Sequence, residues 1–194
     1  MECYVSQAAP RKRKEKTMKV LAISSSPRKG GNSDLLVDQF LKGAEEAGHT
    51  TEKVRFDNLT IWPCKACDYC KTNVRCSHID DMMKIQYQML QADVIVLATP
   101  VYFFSMSGQL KVMIDRCRPK YAEMKDKQFY FILTSANPNA DAIDSTVAGL
   151  RGFLRCLPGA QEKGIIHGAG VNDKGASAGL DAFQEAYEMG KAVS

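Results

Sequence analysis

A chain of 194 residues, 45% hydrophobic and 25% charged, carries enough apolar material for one sizeable core and needs no second domain. No apolar run reaches the roughly 18 residues that span a bilayer and the N-terminus lacks the apolar stretch of a secretion signal, so no membrane association and a cytoplasmic location are expected. The formal charge of +4 is unevenly placed: residues 1–17 hold Arg11, Lys12, Arg13, Lys14 and Lys16 against Glu2 and Glu15, and the rest hold 21 basic and 20 acidic groups. The near-neutral body argues against a nucleic-acid partner, and residues 1–17 read as a basic, disordered extension or the product of an upstream start, ahead of a domain over 18–194.

Residues 18–24 (MKVLAIS) are a short apolar run bounded by Ser, Pro and Gly, as suits a strand buried on both faces. From Ser33 the spacing turns helical: Leu35, Leu36, Phe40, Leu41 and Ala44 recur at three and four residues, with Ser33 available as N-cap and Gly48 closing the helix. Residues 51–56 offer a second strand. After a cysteine-bearing loop, Asp80 and Asp81 open a helix carrying Met82, Ile85, Met89 and Leu90, with the acidic pair at the positive end of the helix dipole. Residues 93–99 (DVIVLAT) are the most strand-like segment; 109–117 are helical, 128–135 form a fourth strand, 143–157 a helix, 164–168 a fifth strand and 180–193 a last helix. This alternation predicts an α/β fold, a doubly wound five-stranded parallel sheet with helices on both faces. Such a sheet binds its ligand at the carboxyl ends of its strands, where strand order reverses, so the loops after strands one, three and four matter most.

The first of these, residues 24–33 (SSSPRKGGNS), joins a buried strand to a helix N-terminus and combines hydroxyls, glycines, free amides and a guanidinium. That chemistry suits a phosphate, against the simpler reading of a capped turn with nothing bound. It is neither a Walker A loop nor a G-x-G-x-x-G turn. The second, residues 99–109 (TPVYFFSMSGQ), sets Tyr102, Phe103 and Phe104 directly after a buried strand; they match a planar heteroaromatic ring, with core or a dimer interface as the alternative. The third, residues 135–141 (SANPNAD), is polar and suited to bonding the edge of such a ring.

The runs MKVLAISSSPRKGGNSDLL, ADVIVLATPVYFFSMSGQLKVMIDR and EAYEMGK resemble the NADPH-dependent FMN reductase family of flavodoxin-like proteins. The resemblance implies noncovalent FMN and a homodimer or dimer of dimers. Carried over by position, Ser26, Arg28, Asn32 and Ser33 bind the phosphate, with Ser24 at the strand end beside them. Pro100, Val101, Tyr102, Phe103, Phe104 and Ser105 line the isoalloxazine, and Ser135, Ala136 and Asn137 close its far side. Ser25 stands where the family often has glycine.

Of seven cysteines, Cys64, Cys67, Cys70 and Cys76 form a C-x2-C-x2-C-x5-C cluster, while Cys3, Cys117 and Cys156 are scattered. A dense set in a cytoplasmic protein argues for metal or redox chemistry rather than disulfides. Steps of three resemble the start of a ferredoxin run more than paired zinc knuckles, though the last spacing and the missing proline depart from it. The pattern is similar to the iron-sulfur flavoproteins, a branch of the same FMN family in which four cysteines ligate one [4Fe-4S] cluster; a cluster-free loop and zinc remain the alternatives. Lys65, Lys71 and Arg75 either tune such a cluster and dock an acidic carrier such as ferredoxin, or are solvated loop charges. His49, His78 and His167 show no partner and read as surface or structural.

The chain is thus expected to be an FMN-dependent oxidoreductase with no catalytic side chain of its own. It takes electrons from NAD(P)H or from a ferredoxin-like carrier and relays them between FMN and a [4Fe-4S] cluster, or acts as a cluster-free NAD(P)H-dependent FMN or quinone reductase. A flavodoxin-like domain that has lost FMN and serves as a binding module is the non-redox alternative.

Overall fold

The computed structural model describes residues 16–194, so all but the end of the basic extension lies outside the described residues. Val20, Leu21, Ala22 and Ile23 are completely buried, as their uninterrupted apolar run requires of a strand covered on both sides. They form β1 (Lys19–Ser24), followed by α1 (Asn32–Glu46), β2 (Thr50–Arg55), α2 (Tyr69–Asn73), α3 (Met82–Gln91) and β3 (Val94–Tyr102). β4 (Ser105–Met106), α4 (Gly108–Asp115), β5 (Gln128–Thr134), α5 (Asp144–Leu154), β6 (Gln161–Gly168) and α6 (Asp181–Lys191) complete the chain.

β2, β1, β3, β5 and β6 lie side by side in that order, all parallel. Because strand side chains alternate, the sheet divides its apolar residues between two cores. Val20, Ala22, Val96 and Ile132 pack on one face with Leu36 and Phe40 of α1 and Ala186 of α6. Leu21, Ile23, Leu97 and Phe131 face the other way, against Ile85 of α3, Met113 of α4 and Leu150 of α5. The order reverses between β1 and β3, which sets the crevice at their carboxyl ends.

The five expected parallel strands are present and a sixth strand joins them. β3 runs on past the sheet to Tyr102 and pairs antiparallel with β4, Val101 opposite Met106 and Tyr102 opposite Ser105. α2, inside the cysteine loop, has five residues between left-handed Asp68 and Val74, too few to show a helical period in the sequence. α1 begins at a Gly31 N-cap rather than at Ser33. α5 stops at Leu154, ahead of the turn that leads into β6. No described helix is long and apolar enough to cross a membrane.

Candidate functional site

β1 delivers the chain into a turn shaped by its own backbone. The Arg28 N–H donates to Ser26 Oγ (3.3 Å), the Gly31 N–H to the Arg28 carbonyl (2.9 Å) and the Gly30 N–H to Asp34 Oδ2 (2.8 Å). Gly30 has φ +64°, and a Cβ on Gly31 would sit 2.9 Å from the Arg28 carbonyl oxygen, so the double glycine is a steric requirement. Asp34 is clasped by Lys53 and Arg55 of β2. Burial alone would raise its carboxyl, but Lys53 and the Gly30 N–H outweigh it and hold Asp34 below the usual carboxylate range. The first-turn amides of Asn32 and Ser33 have no acceptor within the helix. With the helix dipole and Arg28 they make an anion site.

The expected cofactor residues meet in two adjoining cavities. Ser26, Arg28, Asn32, Ser33, Pro100, Val101, Tyr102 and Ala136 line one of about 230 Å³. Val101 and Ala136 also wall a second, of about 170 Å³, with Phe103, Phe104, Ser135 and Asn137. Ser24 is fully buried beneath the turn, its hydroxyl without a partner among the described residues, and Ser105 lines neither cavity. Thr134, Val171, Asn172 and Lys174 complete the first cavity and were not foreseen. Only the polar Asn172-Asp173-Lys174 run after the last strand hints at them, and strand order decides that this loop reaches the phosphate turn.

Several expected ligands are already engaged. Asn32 Nδ2 donates to the Asp173 carbonyl (2.9 Å) and Asn32 Oδ1 accepts the Ser177 N–H (3.1 Å), so this side chain straps the loop after β6 onto α1. Ser33 Oγ is bonded to Thr134 Oγ1 at 2.7 Å. Ser25 donates from Oγ to the Ala98 carbonyl (2.9 Å) and accepts from Ser107 Oγ (2.9 Å), tying the turn to the start of α4. The Ser135 hydroxyl donates to the Asn137 carbonyl and lies 2.7 Å from His167 Nε2, which assigns the ring proton to that nitrogen. Burial lowers the His167 pKa, keeping the ring neutral. Arg28 spends only one weak contact on protein, 3.4 Å to the Asn172 carbonyl.

The aromatic run does not form one platform. Tyr102 borders the first cavity, whereas Phe103 and Phe104 occupy the tip of the β3–β4 hairpin with φ of +49° and +59°. Left-handed backbone costs a non-glycine residue roughly 1–2 kcal/mol. Phe103 is fully exposed at 102% and Phe104 at 59%.

In the cysteine loop Cys64 and Cys67 are exposed and Cys70 and Cys76 half-buried. Among the described residues no three His, Cys, Asp or Glu side chains are placed to share a metal ion. The donor chemistry nonetheless fits a thiolate-bound group. A Ser77 hydrogen bond and the Tyr69 N–H lower the Cys67 thiol pKa, Arg118 has Cys70 and Cys64 within coulombic reach, and Cys76 adjoins Arg116. The buried Nε2 of His78 has no partner among the described residues. Cys117 is the opposite case, a buried thiol that desolvation pushes up to about 12, and Cys156 is exposed just past α5; Cys3 lies outside the described residues.

The model of the family described as NADPH-dependent FMN reductase matches residues 18–162. The chain belongs to that family. An iron-sulfur flavoprotein of Methanocaldococcus jannaschii is 44% identical over 102 residues, 53% of this chain and 53% of the relative. The chain therefore spans about half the length of that relative. A putative NAD(P)H-dependent FMN-containing oxidoreductase of Bacillus subtilis is 29% identical over 168 residues, covering 81% of this chain and 82% of that protein. Among solved structures, an NAD(P)H:quinone oxidoreductase from Methanothermobacter marburgensis superposes with a TM-score of 0.71 over 92% of this chain and 100% of its own, at 16% identity. At that identity the likeness is one of flavodoxin-like fold.

Proposed function

We propose that this member of the FMN reductase family binds FMN in the paired cavities and works as an electron-transferring oxidoreductase, relaying between FMN and a [4Fe-4S] cluster held by Cys64, Cys67, Cys70 and Cys76. The observation that carries the flavin reading is the continuity of the site: an anion cradle at the N-terminus of α1 opens, across Val101 and Ala136, into a cavity edged by aromatic and polar loop residues. Bound FMN supplies exchange of electrons in pairs or singly, and a [4Fe-4S] cluster supplies single-electron transfer.

The chain's own groups bind and orient. Arg28, Lys174 and the amides of Asn32 and Ser33 neutralise a phosphate. The backbone of residues 135–137, held by the Ser135–His167 bond, presents polar groups to the ring edge. Pro100, Val101 and Tyr102 cover the cavity wall and limit water. His167, bonded to Ser135 and with burial favouring its neutral form, holds a loop. The exposed Phe103 and Phe104 are suited to burial against a second copy, in a homodimer or dimer of dimers.

The match over 82% of the Bacillus subtilis protein, named as an NAD(P)H-dependent FMN-containing oxidoreductase, supports the NAD(P)H-dependent part of a second reading, a reductase that works without a cluster. Anaerobic purification followed by iron, sulfide and flavin assay separates the two: about four iron and four sulfide per FMN is expected for one cubane. Flavin without iron leaves the reductase, and a colourless chain that refuses added FMN ends both. Mixing with NADPH against reduced ferredoxin then reads the donor from the rate of flavin bleaching.

A further inference from the structure

α4 begins at the flavin crevice and ends under the cysteine loop. Its N-cap Ser107 is bonded through Oγ to Ser25 and through its N–H to Thr99 Oγ1 (2.9 Å each), while its C-cap is Arg116. Its eight residues make a rod of about 12 Å.

The Arg116 side chain is only 1% exposed, and so is that of Asp80, its partner. The guanidinium grips both carboxylate oxygens, Nη1 to Oδ2 at 2.7 Å and Nη2 to Oδ1 at 2.9 Å, and also donates to the Trp62 carbonyl. Asp80 Oδ2 accepts the Trp62 N–H (3.0 Å), and one step outward Asp81 Oδ2 accepts the Thr60 N–H (2.7 Å) while the Asp81 N–H returns to the Thr60 carbonyl (3.1 Å). Trp62 lies just before Cys64 and Asp80 just after Cys76, so one buried ion pair holds both feet of the segment that carries all four cysteines. Arg116 Nε is buried without an acceptor among the described residues, and the Cys76 thiol adjoins the same guanidinium. Arg118 reaches up from the turn after α4, bonds Asp68 Oδ1 at 2.8 Å, and has Cys64 and Cys70 within coulombic reach.

We propose that Arg116 and Arg118 are the positioning residues of the cysteine loop: Arg116 seats it on α4 at a set distance from the flavin crevice, and both guanidiniums set a positive end beside a thiolate-bound cluster. The charge half rests on the cluster reading above; the seating half does not. Replacing a buried ion pair by apolar groups is often neutral or stabilising, so such a pair is weak evidence for stability; fixing one arrangement among several is a use seen in some proteins. Four thiolates on a [4Fe-4S]²⁺ core leave a net charge of about −2. Arg116 and Arg118 are already paired with Asp80 and Asp68, so they do not neutralise that charge but set a positive end beside Cys76 and near Cys64 and Cys70. Lys65 lies near Cys67, Lys71 shares Asp68 with Arg118, and Arg75 leans on Tyr69; these and the 39%-exposed Arg118 are screened by solvent, which leaves the buried Arg116 as the least screened cation at the loop.

The test uses the whole chain with FMN bound and three variants, Asp80→Asn, Arg116→Lys and Arg118→Gln. Before iron is added, amide hydrogen exchange over residues 62–80 and acrylamide quenching of Trp62, the only tryptophan, read the seat. Asp80→Asn is expected to speed exchange across that segment roughly a hundredfold while FMN uptake stays unchanged. Unchanged exchange overturns the seating role. Should Asp80→Asn fail to fold, Arg116→Lys, which keeps the charge and loses the two-pronged grip, gives the same reading. After anaerobic loading with ferrous iron and sulfide, Arg118→Gln is expected to keep its iron and shift the cluster midpoint, followed by electron paramagnetic resonance, to more negative potential. An unshifted midpoint overturns the charge role, and a parent chain that takes up no iron removes that role together with the cluster reading while leaving the exchange result to decide the seat.

Discussion

The turn proposed to hold phosphate and the loop proposed to hold a cluster are built in opposite ways. Residues 24–33 hang between a fully buried strand and the first turn of a helix; the Ser25, Asn32 and Ser33 side chains and the Gly30 N–H are bonded to sheet, helix or neighbouring loop, which leaves Arg28 and the first-turn amides available. The cavity is ready before anything enters it. Residues 62–80 are fastened at both feet by the Arg116–Asp80 pair and midway by Arg118 on Asp68, with Cys64 and Cys67 exposed and Cys70 and Cys76 half-buried. One draws its geometry from the core; the other draws it from two arginines at the end of α4.

The sharpest way to break that contrast is to remove the core's hold on the turn. Asp34→Ala leaves Lys53 and Arg55 without their buried carboxylate and frees the Gly30 N–H, so a loss of about 3–5 kcal/mol is expected in urea unfolding, with FMN affinity falling alongside. The same carboxylate sets an acid limit. Its folded pKa is lowered, so its contribution is full above the unfolded value near 4 and is lost as pH falls through the folded one; Asp34→Asn should flatten that limb. Next in size is Arg28→Ala, which keeps the turn and deletes a charged donor. FMN affinity, followed by quenching of flavin fluorescence, is expected to drop by about 1.5–3 kcal/mol with unfolding unchanged. An undiminished affinity would mean that the phosphate sits elsewhere. Smallest is the change from replacing Cys64, Cys67, Cys70 and Cys76 together by serine. Because the loop contributes little to either core, unfolding should move by less than about 0.5 kcal/mol and FMN should stay bound, while iron uptake disappears. A large loss of stability would show that the thiols belong to the fold.

Both sites were partly legible in the chain. The turn announced itself because strand, hydroxyls, glycines and helix onset are consecutive, and local chemistry in the right place needs no tertiary information. The cysteine cluster was equally plain as a spacing. What could not be read is how side chains are spent. The Asn32 side chain straps residues 173–177 and leaves its backbone amide for an anion; Phe103 and Phe104 stand on a strained hairpin tip and wall the second cavity rather than the first, which Tyr102 borders. In each case the competing partner lies far away in sequence or the decisive feature is a backbone angle.

The amino-acid sequence by itself determined the alternation of buried strands and amphipathic helices, the parallel sheet that follows from it, the anion turn after β1 and the cysteine spacing, because each depends on periodicity or on neighbours along the chain. Tertiary structure alone decided that Thr134 and Lys174 face that turn, that Ser25 is bound to the start of α4, and that Arg116, which reads as an ordinary charged helix end, lies buried against Asp80. Those pairings follow from strand order and from which helix packs on which face, and no local pattern encodes them.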